Sequence, residues 1–351
     1  MVAWLLEIAT FATKVALIGA LIGFVIGIIA SFMQRGSSPE PQIRVRRLDR
    51  YYQHLADRVR ASRMGAKERK AFSKRRKAEA KSKSQGEAPA TPATQTAQGR
   101  RPSLYVIDFH GDIQASAVAQ LRVLVSTITA IAETGDEVLM RLESGGGLVH
   151  SYGLAASQCA RLRAAKIPLT ICVDKVAASG GYMMACEADR IVAAPYAVLG
   201  SIGVAVELPN VHRLLRDKGV DYEEFTAGDH KRTVTVAGEI TDEKREKLRE
   251  HIEATHDLFK DHVRARRPQL DIDAVATGET WYGTHALERG LIDEIGTSDD
   301  VVVSYVERAD VLLLDFESNS PLPHRLAKPL VEGAARVFER VARGFVRRWT
   351  T

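Results

Sequence analysis

From residue 104 onward the chain alternates short apolar runs with longer stretches that are apolar on one side only. Residues 104–109, 137–142, 169–173 and 190–194 are mainly apolar runs of strand length. Residues 115–132 and 148–166 place Leu, Val, Ile and Ala at helical spacing between them. This alternation predicts an α/β domain whose parallel strands are joined by helical crossovers. Residues 242–266 predict a long, highly charged helix with Leu248, Ile252, Thr255 and Phe259 on one side.

The two ends have different patterns. Residues 15–32 are an uninterrupted run of apolar and small side chains, and at about 1.5 Å per residue such a run nearly spans a bilayer core. Residues 4–13 extend it, with Glu7 and Lys14 as the only charges. No basic segment precedes the run, so a retained N-terminal transmembrane helix is expected rather than a cleaved leader. Gly19, Gly23 and Gly27 line one face, which suits close helix pairing and equally the ordinary glycine content of membrane helices. Near the other end, residues 326–349 form a basic amphipathic pattern, with Leu330, Ala334, Val337, Val341 and Phe345 at helical spacing. That helix suits a membrane surface, a subunit contact or ordinary packing.

Charge changes this picture in one place. The chain of 351 residues carries a net charge of +5, but residues 58–83 hold twelve Lys and Arg against Glu68 and Glu79. The positive excess therefore belongs to that segment, and the remainder is net negative. The segment lacks an aromatic platform for bases, so no specific nucleic-acid partner is expected; anionic membrane lipid is. Residues 84–98, rich in Pro, Ala, Thr and Gln, read as a linker. The expected organisation is an anchor over 1–34, a basic arm and linker over 35–101, a folded domain over 102–316 and a C-terminal helix over 317–351. The three cysteines, Cys159, Cys172 and Cys186, are odd in number and lack paired spacing, which gives neither a disulfide framework nor a metal site.

Candidate chemistry starts at Val176-Ala177-Ala178-Ser179-Gly180-Gly181-Tyr182, between the apolar run at 169–173 and a helix-competent segment at 183–186. A serine among small residues at a strand-to-helix junction exposes its hydroxyl and lets backbone N–H groups approach a substrate. The same residues suit a tight turn in which Ser179 merely caps a helix. A nucleophilic serine needs a base. Ten histidines are present, none in a triad-like setting. Lys231, in Thr226-Ala227-Gly228-Asp229-His230-Lys231-Arg232-Thr233, is the other option. It serves only if burial or a neighbouring cation such as Arg232 favours its neutral form; otherwise it is a surface cation in a basic turn. Arg141-Leu142-Glu143-Ser144-Gly145-Gly146-Gly147 offers N–H groups to an oxyanion at a second strand-to-helix turn and matches no nucleotide-binding pattern. Ser201, in Gly200-Ser201-Ile202-Gly203-Val204, either orients the lysine or satisfies its own turn.

Taken in order, these segments, together with Thr277-Gly278-Glu279-Thr280-Trp281-Tyr282-Gly283, resemble the signal peptide peptidase A family of serine proteases, and within it the SohB branch. The resemblance covers about residues 102–306. It implies a ClpP/crotonase-like fold, Ser179 as nucleophile, Lys231 as general base, and Gly147 and Gly180 as oxyanion-hole donors. It also implies no cofactor and no metal, peptide or protein substrates, a homo-oligomer, and the bacterial inner (plasma) membrane. The sequence departs from the family's Ser-Pro-Gly-Gly turn at Gly145, where losing proline predicts a looser turn. The side of the membrane stays open. Arg35, Arg44, Arg46, Arg47 and Arg50 favour the cytoplasm, whereas the resemblance favours the outer side. The expected activity is that of a membrane-anchored serine endopeptidase acting through an acyl-enzyme. A catalytically silent scaffold and a crotonase-like acyl-CoA enzyme are the alternatives.

Overall fold

A computed structural model describes residues 42–85, 100–228 and 230–316. Two helices follow the first strand: β1 (Ile43–Arg47), α1 (Leu48–Ser62) and α2 (Ala66–Gln85). Then come β2 (Ser103–Gly111), α3 (Val118–Ile131), β3 (Glu137–Ser144), α4 (Val149–Ala164), β4 (Leu169–Val173), β5 (Val176–Ala178), α5 (Gly180–Ala185), β6 (Arg190–Ala193) and β7 (Val198–Gly200). The remainder is α6 (His212–Asp217), α7 (Asp242–Arg266), α8 (Ile272–Val275), β8 (Thr280–Tyr282), α9 (Gly283–Glu288), β9 (Glu294–Ile295), α10 (Ser298–Tyr305) and β10 (Asp310–Phe316). Val45–Asp315 forms one compact unit, which starts upstream of the boundary expected at 102. The expected anchor at 1–34 and C-terminal helix at 317–351 lie outside the described residues. Among the described residues no helix is long and apolar enough to cross a membrane.

The main sheet runs β1-β10-β2-β3-β4-β6-β9. Its central pairs are parallel, with Leu313 beside Val106, Val106 beside Leu139 and Leu139 beside Thr170. Strand β2 is buried along both of its faces. Leu104 and Val106 join a cluster with Leu139, Cys172, Val192, Val302, Tyr305 and Leu313, while Tyr105, Ile107 and Phe109 are buried on the alternate positions. Each such side chain contributes about 1.5–3 kcal/mol of burial, which is why short runs with weak local propensity hold as strands.

The expected crossovers are present, with shifted ends. Helix α3 begins at Val118 rather than 115, because residues 112–116 form a turn. In that turn Asp112 accepts the Ser116 N–H at 2.8 Å and the Ser116 hydroxyl at 2.7 Å, and Ala115 has φ 51°. The helix expected at 183 begins three residues earlier, at Gly180. The charged helix at 242–266 matches α7, with Phe259 and Val263 buried and the Thr241 side chain capping its start. In the basic arm, Leu48 and Tyr52 of α1 pack against the core cluster, and Arg47 bridges Asp49 at 2.8 Å and Asp310 at 2.7 Å. The arm thus starts as part of the folded unit, which its charge pattern hides.

Candidate active site

The sheet forks at β3. Met140 and Arg141 pair with Ile171 and Cys172 of β4, whereas Ser144, at the end of β3, pairs with Ala177 of β5. Strand β5 in turn pairs in parallel with β7, and β7 pairs antiparallel with β8. This small branch carries the serine. Ser179 follows β5 immediately and leads into α5. Its φ of 51° and ψ of −120° are costly for a residue with a side chain. The conformation is held from both sides: the Ser179 N–H donates to Gly200 O at 2.8 Å, and the Ser179 carbonyl accepts the Met183 N–H at 2.9 Å. A strained strand-to-helix turn of this kind presents a side-chain oxygen to substrate.

The glycine turn after β3 closes over this serine. A Cβ on Gly146, which has φ +92°, would lie 2.7 Å from Ser179 Cβ and 2.8 Å from Gly180 N. Gly147 presses against Ile113, whose carbonyl accepts the Leu148 N–H at 2.8 Å. Among the described residues, the N–H groups of Gly147 and Gly180 have no hydrogen-bond acceptor. Gly180 is the first residue of α5, where an unpaired N–H also has the favourable end of the helix behind it. The site therefore offers a partly exposed serine hydroxyl and two free backbone donors. That combination suits attack on a carbonyl and stabilisation of the resulting oxyanion. At Gly145 a Cβ would meet nothing, so the space for the missing proline is open.

Ser201 sits one step beyond the Ala178–Gly200 pair, next to Ser179 across the branch. It too has φ 51°, and its N–H donates to Glu279 O at 2.6 Å. Trp281 of β8 packs on Gly200, where a Cβ would fall 2.7 Å from the indole. Helix α7 braces the branch and α5 through two histidines. His256 Nε2 donates to Ile202 O at 3.2 Å, and His262 Nε2 donates to Met183 O at 3.1 Å. Because carbonyls only accept, both rings carry a proton on Nε2 and donate it to these carbonyls.

Ser179, Ser201, Gly147 and Gly180 are brought together; Lys231 is not joined to them by a hydrogen bond in the single chain. Lys231 lies on the irregular segment after α6, exposed, with its N–H donating to Gly228 O at 3.1 Å. Among the described residues its ammonium has no partner. Arg232, the cation expected beside it, pairs with Glu224 at 3.7 Å. Asp174, close to Ser179 in sequence, serves α10 instead, accepting the Ser298 N–H at 2.8 Å and the Ser298 hydroxyl at 2.6 Å. Among the described residues no group of His, Cys, Asp or Glu could hold a metal.

Two further residues shape the site without having been expected. Tyr152 of α4 is fully buried beneath the glycine turn, its hydroxyl 2.5 Å from Ser144 Oγ and donating to Asp112 O at 2.8 Å. Burial raises its phenol above the ordinary range, so it stays neutral. Its only sequence signal is a lone Tyr on the helix Val149–Ala164.

The profile described as "Peptidase family S49" matches residues 161–312, and "Peptidase family S49 N-terminal" matches residues 3–159. The chain is 42% identical to the "Probable protease SohB" of Haemophilus influenzae over 97% of its own length and 95% of that protein's. It is 45% identical to the "Probable protease SohB" of Buchnera aphidicola subsp. Schlechtendalia chinensis, over 86% of this chain and 99% of that one. A solved structure of the 1510-N membrane-bound stomatin-specific protease matches with TM-score 0.41 and 14% identity, over 61% of this chain and 98% of that chain. The chain is thus a peptidase belonging to peptidase family S49, in its SohB branch.

Proposed function

We propose that the protein is a membrane-anchored serine endopeptidase of ClpP/crotonase-like fold that cleaves extended or membrane-associated polypeptides with a Ser179–Lys231 dyad. The observation that carries this reading is the strained Ser179 packed against the glycine turn at Gly146, with the N–H groups of Gly147 and Gly180 lacking an acceptor among the described residues. Uncharged Lys231 takes the Ser179 proton as Oγ bonds to the peptide carbonyl carbon. The oxyanion accepts from Gly147 and Gly180. Collapse breaks the C–N bond, and the departing amine takes the proton back from Lys231. Neutral Lys231 then deprotonates a water that attacks the acyl carbon, the bond to Ser179 Oγ breaks, and Lys231 returns the proton to Oγ. Ser201, beside Ser179, orients the lysine.

The dyad requires Lys231 to leave water, and assembly into a homo-oligomer is the proposed means. Phe225 is 89% exposed, and Val220, Tyr222 and Val236 on the same irregular segment as Lys231 are also exposed. Apolar surface of this kind beside a functional lysine supports burial by a second copy. The N-terminal run supports a single span in a bacterial inner membrane, and the cationic helices α1 and α2 support contact with anionic lipid.

A serine-reactive phosphonate probe applied to the assembled protein tests the reading. Labelling of wild type and none of Ser179→Ala is expected. No labelling of the assembled wild type would favour the catalytically silent scaffold.

A further inference from the structure

We propose that Tyr152 is a positioning residue for the oxyanion loop, acting through Ser144 on the Gly146 peptide and through Asp112 on the loop beside it. This rests on the serine-peptidase reading above. A phenol has one proton, and Tyr152 spends it on Asp112 O at 2.8 Å. The 2.5 Å contact with Ser144 is therefore made by the Ser144 hydroxyl donating to Tyr152 Oη. The Ser144 lone pairs are then left to accept, and Gly146 N–H donates to Ser144 Oγ at 3.1 Å. The relay runs in one direction, from Gly146 N–H to Ser144, to Tyr152, to Asp112 O.

Each member touches a different wall of the site. Asp112 O also accepts the Ala115 N–H at 3.0 Å and so holds the 112–116 turn, next to Ile113, on which Gly147 packs. Gly146 lies against Ser179. A Cβ on Gly180 would fall 2.4 Å from the Tyr152 ring, so the ring supports the second oxyanion donor directly. With Gly145 in place of proline, the turn has no fixed φ of its own at that position, and the relay supplies the restraint. Fixing the Gly146 peptide also fixes where the next peptide, carrying the free Gly147 N–H, points.

Tyr152→Phe keeps the ring against Gly180 and removes only the hydroxyl. In the assembled full-length protein we expect kcat on a peptide substrate to fall by about 10- to 100-fold, since misplacing a catalytic group by about 1 Å costs as much. KM should stay within about twofold, and thermal stability close to wild type. Affinity for a peptide boronate, which mimics the tetrahedral adduct, should fall in parallel with kcat. Ser144→Ala should give a similar loss, and combining the two should add little, because both break one chain. Amide exchange at Gly146, read by mass spectrometry, should speed up in both variants. A folded Tyr152→Phe protein with unchanged kcat and boronate affinity would overturn the proposal, as would fully additive losses. If the wild-type protein cleaves no peptide, it is the serine-peptidase reading that fails. The Gly146 exchange rates then decide the relay on their own, and unchanged rates would refute it.

Discussion

Ser179 and Ser201 leave adjacent parallel strands one residue beyond the same register step, and both do so at φ 51°. The Ser179 N–H is bonded to Gly200 O at 2.8 Å, so the two strained turns share a hydrogen bond. Neither conformation is favourable alone. Their pairing, backed by the Ser201 N–H to Glu279 O bond, over-determines both. The serine proposed as nucleophile is therefore aimed by backbone, before any base is considered.

Substitution at Lys231 separates chemistry from folding. Its side chain is exposed and unpartnered among the described residues of a single chain, so Lys231→Arg should leave the melting temperature of the dissociated chain within about 2 °C. Arginine stays protonated and cannot accept the Ser179 proton, so turnover should fall by at least about 10³-fold. A steady-state assay beside thermal denaturation checks this; full activity in Lys231→Arg would remove the lysine from the mechanism.

Gly180, at the start of α5, and Gly145, in the glycine turn, make an internally controlled pair. Gly180→Ala drives a methyl into the Tyr152 ring and should cost about 1–3 kcal/mol of stability together with most activity. Gly145→Ala meets open space at a position without positive φ. It should stabilise by about 0.4–1 kcal/mol through the unfolded chain and keep activity. Urea unfolding of both variants reads the difference.

Acid stability should depend on Asp136. Burial alone would raise this carboxyl, but the Arg100 guanidinium and the N–H groups of Ser103 and Glu133 outweigh burial and hold it below its ordinary value. A depressed folded-state value means that the stabilisation is complete above the unfolded-state value, about 3.9, and is lost as pH falls through the folded one. Asp136→Asn should therefore cost about 1–3 kcal/mol at pH 7 and progressively less below about pH 4. Equal losses at pH 3 and pH 7 would contradict this.

Thiol reagents should leave the folded protein alone. Burial pushes the Cys159 and Cys172 thiols up to about 12 and Cys186 higher still. All three are enclosed, so iodoacetamide at pH 8 should label them only after denaturant is added. Native labelling faster than local opening would show an accessible thiol.

The sequence already shows the strands at 104–109 and 169–173, as nearly unbroken apolar runs of strand length, and the long helix at 242–266, whose apolar positions repeat at helical spacing over several turns. Ser179 stands out for a different reason: five small residues in seven at the end of an apolar run. The three-residue strands β5 and β7 are too short to carry a period, yet they form the branch on which Ser179 and Ser201 stand. Ser144 and Tyr152 escape notice because a turn serine and a helix aromatic mean nothing until the fold brings their oxygens to 2.5 Å. Strand β1 and helix α1 are masked by charge: Leu48 and Tyr52, which pack on the core, sit among arginines.

The forked sheet has one more implication. The bonds that hold its smaller limb, Ser179 to Gly200, Ser201 to Glu279 and the β7–β8 ladder, run between main-chain amides, and amides do not ionise in the working range of an enzyme. Acid or alkali short of unfolding should leave this armature unmoved. The contacts of this limb that can exchange a proton are then the two histidine braces from α7, His256 on Ile202 O and His262 on Met183 O.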